Sequence, residues 1–307
     1  MNTAGTRILI TGASGLIGSA LIPELQRQGH QVFRAVRTEP AGDDEIRWRP
    51  LETPQQIPAS EREAFEGFDT VIHLAGENIA SHRWTDQRKQ EIRSSRIEAT
   101  TNLAALLGQL SSGPSEFISA SAVGGYPADS DEIFTEQSAF GRDYLAEVCR
   151  DWESASDSLA ASGVRVVKLR IGIVLSPAGG ILERLVPLFR WCLGSRIGSG
   201  KQWMSWIDLD DLVEIVKLVT TTKTIEGPIN CVAPAAVRNV DFTTTLAAIL
   251  RRPVAPPVPA FIIRLLYGEM GQSLIVEGRR VLPARLMQMG FHFKSPDLPS
   301  ALRNQLH

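Results

Sequence analysis

The sequence has few cysteines, no long apolar run and no excess of positive charge, and each shortage excludes a class of protein. Its three cysteines, Cys149, Cys192 and Cys231, are too few and too scattered for a disulfide framework or a metal site, which indicates a reducing compartment. No stretch approaches the roughly 18 apolar residues that cross a bilayer, and no apolar targeting segment precedes Arg7. We therefore expect a cytoplasmic protein with no membrane partner.

The charge balance argues against nucleic acid as a partner. Lys and Arg number 32 and Asp and Glu 34, which gives a formal net charge of -2, and there is no basic stripe. A chain of 307 residues with 43% hydrophobic residues buries a sizeable core, so the expected partner is a small-molecule substrate. A serine hydrolase is also excluded, because the sequence contains no G-x-S-x-G motif.

Three glycines follow the first apolar run at a spacing that suits a phosphate-binding turn. The segment RILITGASGLIG reads as a strand, a glycine turn and the start of a helix. Such a turn lets a pyrophosphate approach the backbone, and the N–H groups of the following helix stabilise its charge. The spacing GxxGxxG differs from the commonest fingerprint, so a glycine turn with no ligand is the alternative. The residues predicted to bind the cofactor here are Gly12, Ser14, Gly15, Leu16, Ile17 and Gly18.

The second strand indicates which dinucleotide binds. The run QVFRAVR ends about 20 residues after the first glycines, where an NAD site places an acidic residue for the ribose. Val36 and Arg37 stand there instead. Because arginine offers planar paired donors to a phosphate, we predict that Arg37 binds the 2′-phosphate of NADP(H). A solvated strand end is the alternative interpretation of Arg37.

Small residues also follow the strand DTVIHL. Leu74 ends that strand, and Ala75 and Gly76 come directly after it. At the carboxyl end of a parallel strand, small residues let a cofactor lie against the backbone. We therefore count all three as cofactor-binding residues, with a tight turn as the alternative.

The alternation of strands and helices predicts an α/β protein with a doubly wound parallel sheet. The pattern changes after Gly172, and the run RRPVAPPVPAF reads as an extended spacer. We predict a nucleotide-binding domain over residues 1–240 and a small C-terminal cap over residues 241–307 that contributes to the substrate pocket. The aromatic loop GSGKQWMSW, which includes Trp203 and Trp206, is a candidate pocket lining.

Several motifs together carry a resemblance to a known family. The segments ITGASGLIG, HLAGEN, SASAV, LRIGIVLSPAGG and WIDLDDL resemble the extended short-chain dehydrogenase/reductase superfamily. More closely, HLAGENIASHRW, YLAEVCRDWE, GSGKQWMSWI, VPAFIIRLLYGEMGQ and GRRVLPARL look like an atypical epimerase-family branch, also labelled cell-division-inhibitor-like, with a C-terminal domain of unknown function. The resemblance covers nearly the whole chain and implies a Rossmann-type fold.

The resemblance also implies a catalytic pair, and the sequence departs from it. In the superfamily, a tyrosine transfers a proton and a lysine four residues later lowers its pKa. Here Tyr144 matches the tyrosine, but Val148 stands at the lysine position. Packing in an apolar stripe is an equally good interpretation of Tyr144. Ser121 matches the serine that polarises the substrate carbonyl.

Two functions follow as hypotheses. The first is an NADP-dependent oxidoreductase or epimerase, in which Arg96 and Glu91 reach the cofactor from the long helix; a solvated ion pair is the alternative for Glu91. The second is a nucleotide-binding protein that senses NADPH without turnover, which the missing lysine motivates. The resemblance further implies a possible homodimer through the helices that flank the sheet.

Overall fold

The computed structural model describes residues 5–306, and a seven-stranded sheet lies at its centre. The sheet order is β11-β7-β5-β4-β1-β2-β3, and every neighbouring pair in it is parallel. The predicted doubly wound parallel sheet is therefore confirmed. The strands are β1 (Arg7–Thr11), β2 (Gln31–Val36), β3 (Glu45–Arg47), β4 (Thr70–His73), β5 (Glu116–Ala122), β6 (Ile133–Phe134), β7 (Arg165–Ile171), β8 (Ile173–Ser176), β9 (Trp203–Met204), β10 (Trp206–Asp208), β11 (Gly227–Cys231), β12 (Val237–Arg238) and β13 (Arg280–Val281).

Helices cover both faces of the sheet, so its central strands are apolar on both sides. Ile8 and Ile10 pack into one hydrophobic cluster and Leu9 into the other, because successive side chains of a strand point to opposite faces. The α-helices are α1 (Leu16–Arg27), α2 (Ala59–Glu63), α3 (Asp86–Arg93), α4 (Ala99–Leu107), α5 (Tyr144–Ser154), α6 (Asp157–Ala161), α7 (Gly180–Arg190), α8 (Leu209–Thr221), α9 (Asn239–Leu250), α10 (Ala260–Gly271), α11 (Ala284–Gln288) and α12 (Leu298–Leu306).

The long helix that holds Glu91 and Arg96 is interrupted by a wider turn. Thr85 caps its first part, α3, by accepting a hydrogen bond from the N–H of Arg88. A π-helical turn, Ser94–Glu98, then joins α3 to α4. Such a turn adds one residue to the helix and shifts the side chains that follow, and it often occurs at functional sites.

One local expectation was wrong, namely that the aromatic loop lines a pocket. The aromatic loop contains two short strands: β9 pairs with β12 and β10 pairs with β8. Trp206 is fully buried among apolar side chains and donates to the carbonyl of Ala235, so it does not line an open pocket.

The C-terminal segment packs in two places. Leu286 and Phe293 join the cluster under the central sheet, while α12 packs on α9 and β8 and contributes Leu298 and Leu302 to a second cluster. Residues 241–306 therefore share both cores, and the domain boundary at residue 240 stays a prediction. Across residues 5–306 there is no helix long and apolar enough to cross a membrane.

Candidate functional site

The glycine turn lies at the switch point of the sheet. The connections from neighbouring strands β1 and β4 run in opposite directions here, which opens a crevice beyond their carboxyl ends. Gly12 has a φ of 71°, and a Cβ there would lie 2.8 Å from the backbone of Leu74 and Ala75. A Cβ on Gly18 would lie 2.4 Å from the carbonyl oxygen of Gly12. Packing of the backbone alone therefore requires glycine at these two positions.

Gly15 is different, because the packing of the backbone does not require glycine at this position. Its φ of -74° suits any residue, and a Cβ would meet only the carbonyl oxygen of Gly12, at 3.2 Å. Ser14 and Gly15 are exposed. The first N–H groups of α1 are those of Leu16 and Ile17, and no side chain caps this end of the helix. The open space and the free N–H groups meet at one point, as a pyrophosphate requires.

Arg96 meets the small residues that follow β4. A Cβ on Gly76 would lie 3.5 Å from the guanidinium carbon of Arg96. The Arg96 side chain donates to the carbonyl of Glu77 at 2.8 Å and stacks on Trp152, with 5.2 Å to the ring centroid. Burial lowers the pKa of its guanidinium. The structure thus places Arg96 beside Gly76, and the assignment of Leu74, Ala75, Gly76 and Arg96 to the cofactor stays a prediction.

A buried histidine holds this surface in place. Thr100 Oγ1 donates to the carbonyl of Arg96 and accepts from the indole N–H of Trp152 at 3.1 Å. His73 Nε2, 3.0 Å away, must therefore be the donor to Thr100, and His73 Nδ1 then accepts from Thr11 Oγ1 at 2.7 Å. Burial lowers the pKa of His73 to about 4, which agrees with a neutral ring.

The same chain of hydrogen bonds reaches the backbone after β4. Thr11 Oγ1 gives its proton to His73 and accepts the N–H of Ala75 at 3.2 Å. The network ties β1, β4 and α4 together beneath the glycine turn. His73 is thus a structural residue, as its place in a buried strand indicates.

Arg37 and Glu91 lie at the two ends of a chain of charges. The Arg37 side chain is 76% exposed, and its nearest acidic partner is Glu77, at 3.9 Å. Glu77 also contacts Arg88 at 3.3 Å, and Arg88 in turn donates to Glu91 at 2.8 Å. Val36 precedes Arg37 at the end of β2. The hydrogen bond from Arg88 lowers the pKa of Glu91, whose exposed position matches its alternative interpretation as a solvated pair.

The hydroxyl group of Ser121 forms a hydrogen bond inside the protein. Its hydroxyl is buried at the end of β5 and donates to Glu153 Oε1 at 2.7 Å. Glu153 accepts two further hydrogen bonds from Arg170, at 2.8 and 2.9 Å. Burial opposes the charge of Arg170, but the hydrogen bonds to Glu153 outweigh it and raise the pKa of the guanidinium.

The pair of Glu153 and Arg170 belongs to a polar network that the sequence reasoning missed. Arg170 also donates to Tyr126 Oη at 2.8 Å, and Tyr126 donates to the side-chain oxygen of Asn230 at 2.8 Å. Glu136 accepts the N–H of Asn230 at 3.1 Å. The network links β5, β7 and β11 beside the crevice. A helical glutamate and a strand arginine carry no sequence signal that predicts burial.

Tyr144 begins α5 and contacts the helix opposite. Its hydroxyl donates to the carbonyl of Lys89 at 2.9 Å, and its ring meets Trp84 at a centroid distance of 5.2 Å. Burial raises the pKa of the Tyr144 phenol, although Arg93 and Arg96 oppose this shift. The packing interpretation of Tyr144 thus has direct contacts to support it.

Val148 occupies the position of the missing lysine. It is buried beside Ile92 and Leu145, and Met270 of α10 covers the same cluster. The described part of the chain holds no group of acidic, histidine or cysteine side chains that could bind a metal ion.

The chain is similar to epimerase-family proteins over nearly its whole length. Residues 8–231 match the model of the NAD dependent epimerase/dehydratase family, and residues 258–305 match a domain of unknown function, DUF1731. The epimerase family protein MT2273 of Mycobacterium tuberculosis is 40% identical over 299 residues, which cover 97% of each chain.

Two solved structures are similar over the whole described fold. The human epimerase family protein SDR39U1, isoform 2, crystallised with NADPH, superposes with a TM-score of 0.87 at 29% identity and covers 98% of this chain and 99% of its own. A nucleoside-diphosphate sugar epimerase from Corynebacterium glutamicum has a TM-score of 0.81 at 37% identity, over 98% of this chain and 58% of its own.

Proposed function

The chain belongs to the NAD dependent epimerase/dehydratase family, and we propose that it binds NADP(H) and acts as a cytoplasmic oxidoreductase or epimerase on a small polar substrate. One observation carries the cofactor proposal. Around the crevice at the switch point, the uncapped N-terminus of α1, the bare backbone at Gly76 and the exposed guanidinium of Arg37 face a common edge of the sheet.

The residues present fit this dinucleotide. Gly15 leaves room for a pyrophosphate, and the N–H groups of Leu16 and Ile17 would bind it. Arg37 would bind the 2′-phosphate, since it has no hydrogen bond to an acidic side chain among the described residues. The similarity to a protein crystallised with NADPH supports the same choice. When bound, the nicotinamide supplies or accepts a hydride.

The chain offers two hydroxyl groups for proton transfer and orientation. Ser121 would polarise a substrate carbonyl, and Tyr144 would give or take the proton. In the structure these hydroxyls donate to Glu153 and to the carbonyl of Lys89. Each must therefore turn from its present acceptor toward the substrate. Arg93 and Arg96 supply positive charge near the phenol in place of a lysine.

The second candidate is a protein that binds NADPH without turnover. The observation that favours it is that both hydroxyl groups already have acceptors within the chain and that Val148 replaces the lysine. Such a protein would report the NADPH pool through its cap.

Two measurements test the proposal in sequence. Fluorescence titration with NADPH and NADH asks whether a nucleotide binds at all; if neither binds, both candidates are wrong. Oxidation of NADPH is then followed with a panel of carbonyl compounds, and conversion of nucleotide sugars to their epimers, which consumes no net cofactor, is followed by chromatography. Both assays use the natural chain, Ser121→Ala and Tyr144→Phe. If the natural chain turns over a substrate faster than these two variants do, the result supports the enzyme hypothesis. Tight binding with no turnover above them supports the sensor.

A further inference from the structure

Helix α10 is mostly apolar in sequence, yet most of its side chains are exposed to solvent. Its only charged residues are Arg264 and Glu269, yet only Ile263, Met270 and Gly271 are buried. Four large side chains on it are exposed: Phe261 by 65%, Leu265 by 72%, Leu266 by 56% and Tyr267 by 41%. A helix that is apolar around most of its circumference is normally covered by protein or by lipid.

The exposed surface continues onto a neighbouring segment. Residues 194–198 run beside residues 255–260, joined by hydrogen bonds from Ala255 N–H to Gly194 and from Val258 N–H to Arg196. Next to this seam, Trp191 is 79% exposed and Leu193 is 63% exposed. We call this area, formed by residues 188–197 and 250–268, the α7–α10 surface. Its exposed apolar side chains are Leu188, Trp191, Leu193, Val254, Phe261, Leu265, Leu266 and Tyr267.

The α7–α10 surface is positively charged, and Glu269, the acidic residue of α10 that directly follows it, is paired with Lys89. The two segments contain no Asp or Glu, although the whole chain has a net charge of -2. Their five arginines are Arg190, Arg196, Arg251, Arg252 and Arg264. Over residues 5–306, none of these five forms an ion pair with an acidic side chain. The surface therefore lacks both an apolar cover and a negative counterpart.

We propose that the α7–α10 surface docks on the surface of an anionic lipid bilayer. Leucine and phenylalanine side chains would enter the boundary of the acyl chains, Trp191 and Tyr267 would lie at headgroup level, and the arginines would contact lipid phosphates. Helix α10 has 12 residues and is kinked at Gly268, so it is far too short to cross a bilayer and would lie in the interface. The expectation of no membrane partner came from the absence of a spanning run, which adsorption does not need.

Vesicle flotation of the whole protein tests this proposal. The probe is phosphatidylcholine vesicles with about one third phosphatidylglycerol, compared with pure phosphatidylcholine, at low and at high salt. We expect binding to the anionic vesicles that weakens as salt screens the arginines. Arg251→Glu/Arg252→Glu should lower vesicle partitioning by about thirtyfold or more, because each basic residue near such a surface contributes about fivefold. Leu265→Gln/Leu266→Gln should lower it by about tenfold or more.

Two matched variants control for charge and for apolar area. Arg62→Glu/Arg142→Glu makes the same charge change outside the α7–α10 surface, and Met287→Gln/Met289→Gln removes two other exposed apolar side chains. Both should float like the natural chain. The proposal is wrong if the natural chain stays unbound, or if a control loses as much binding as its counterpart. It is also wrong if light scattering without vesicles shows a dimer that Leu265→Gln/Leu266→Gln converts to a monomer, since a second copy would then cover the surface.

Discussion

The guanidinium of Arg37 lies 3.9 Å from the carboxylate of Glu77, and the second oxygen of that carboxylate lies 3.3 Å from Arg88. Glu77 follows Gly76, so this acidic neighbour of Arg37 comes from the segment that is predicted to contact the cofactor. Both side chains of the pair are largely exposed, so their attraction contributes little to stability. Its consequence is for the proposed binding of NADPH, because Glu77 would compete with a 2′-phosphate for Arg37.

Arg37→Ala should weaken NADPH binding by about tenfold and leave NADH binding unchanged. The reason is the loss of a charge-assisted contact to the 2′-phosphate, which NADH lacks. Fluorescence titration with both nucleotides measures the effect. Arg27→Ala removes an exposed arginine of α1 and serves as the control. An equal loss of affinity for NADPH and for NADH would show that Arg37 does not bind the 2′-phosphate.

Glu77→Gln should have the opposite effect and tighten NADPH binding by about threefold to fivefold. It removes the carboxylate that repels the phosphate and competes for Arg37, while NADH binding stays unchanged. The gain should shrink at high salt, since the groups are exposed. Glu63→Gln removes an exposed carboxylate of α2, outside the predicted cofactor residues, and is the control. The competition is refuted by an unchanged or weaker affinity for NADPH.

Gly15→Ala and Gly18→Ala should separate binding from folding. A Cβ on Gly18 would lie 2.4 Å from the backbone of Gly12, so this variant should lower the melting temperature strongly. A Cβ on Gly15 has 3.2 Å to the same oxygen and a favourable φ, so Gly15→Ala should fold but bind NADPH at least about tenfold more weakly. Thermal unfolding and titration are measured together. Full nucleotide binding by folded Gly15→Ala would mean that the turn serves architecture alone.

His73 should make the protein sensitive to mild acid. Its pKa is lowered by burial to about 4 in the folded state, against about 6.5 in an unfolded chain. The folded state therefore binds fewer protons, and the free energy of unfolding contributed by the neutral ring falls as the pH drops from about 6.5 to about 4. The loss is about 3 kcal/mol. Urea unfolding across this pH range should show a shallower slope for His73→Gln than for the natural chain, and His82→Gln, at an exposed site, should show no change.

Glu153→Gln should destabilise the protein far more than Ser121→Ala. Removal of the Glu153 charge leaves the guanidinium of Arg170 buried without its partner, which costs about 3 to 5 kcal/mol. Ser121→Ala removes one hydrogen bond but keeps the paired contacts of Glu153 with Arg170, so the cost is about 1 kcal/mol. Urea unfolding compares the two variants. A similar loss in both would show that the ion pair is not the main source of stability here.

Features with a local pattern could be predicted from the sequence. The apolar runs around Ile8 and Val71 gave the strands of the sheet, because a strand covered on both faces is apolar throughout. The meeting of Gly12 with Ala75 follows from the same reasoning, since both come after neighbouring parallel strands. Thr85 as a helix cap is likewise a short-range signal.

Features that depend on distant contacts could not be predicted. Glu153 lies on an amphipathic helix, where a glutamate usually faces solvent, and only its approach to Arg170 makes it a buried charge. The engagement of Ser121 depends on the same contact. Similarly, the apolar segment FIIRLLY predicts a helix, but only the fold shows that most of that helix faces outward.

Val148 lies in apolar surroundings at the position where the superfamily usually has its catalytic lysine. A lysine at this position would bring an ammonium group into the apolar cluster of Ile92, Leu145 and Met270. The identity of residue 148 is thus set partly by a helix more than a hundred residues later in the chain: with Met270 packed in the same cluster, Val148→Lys alone would replace an apolar contact with a buried charge.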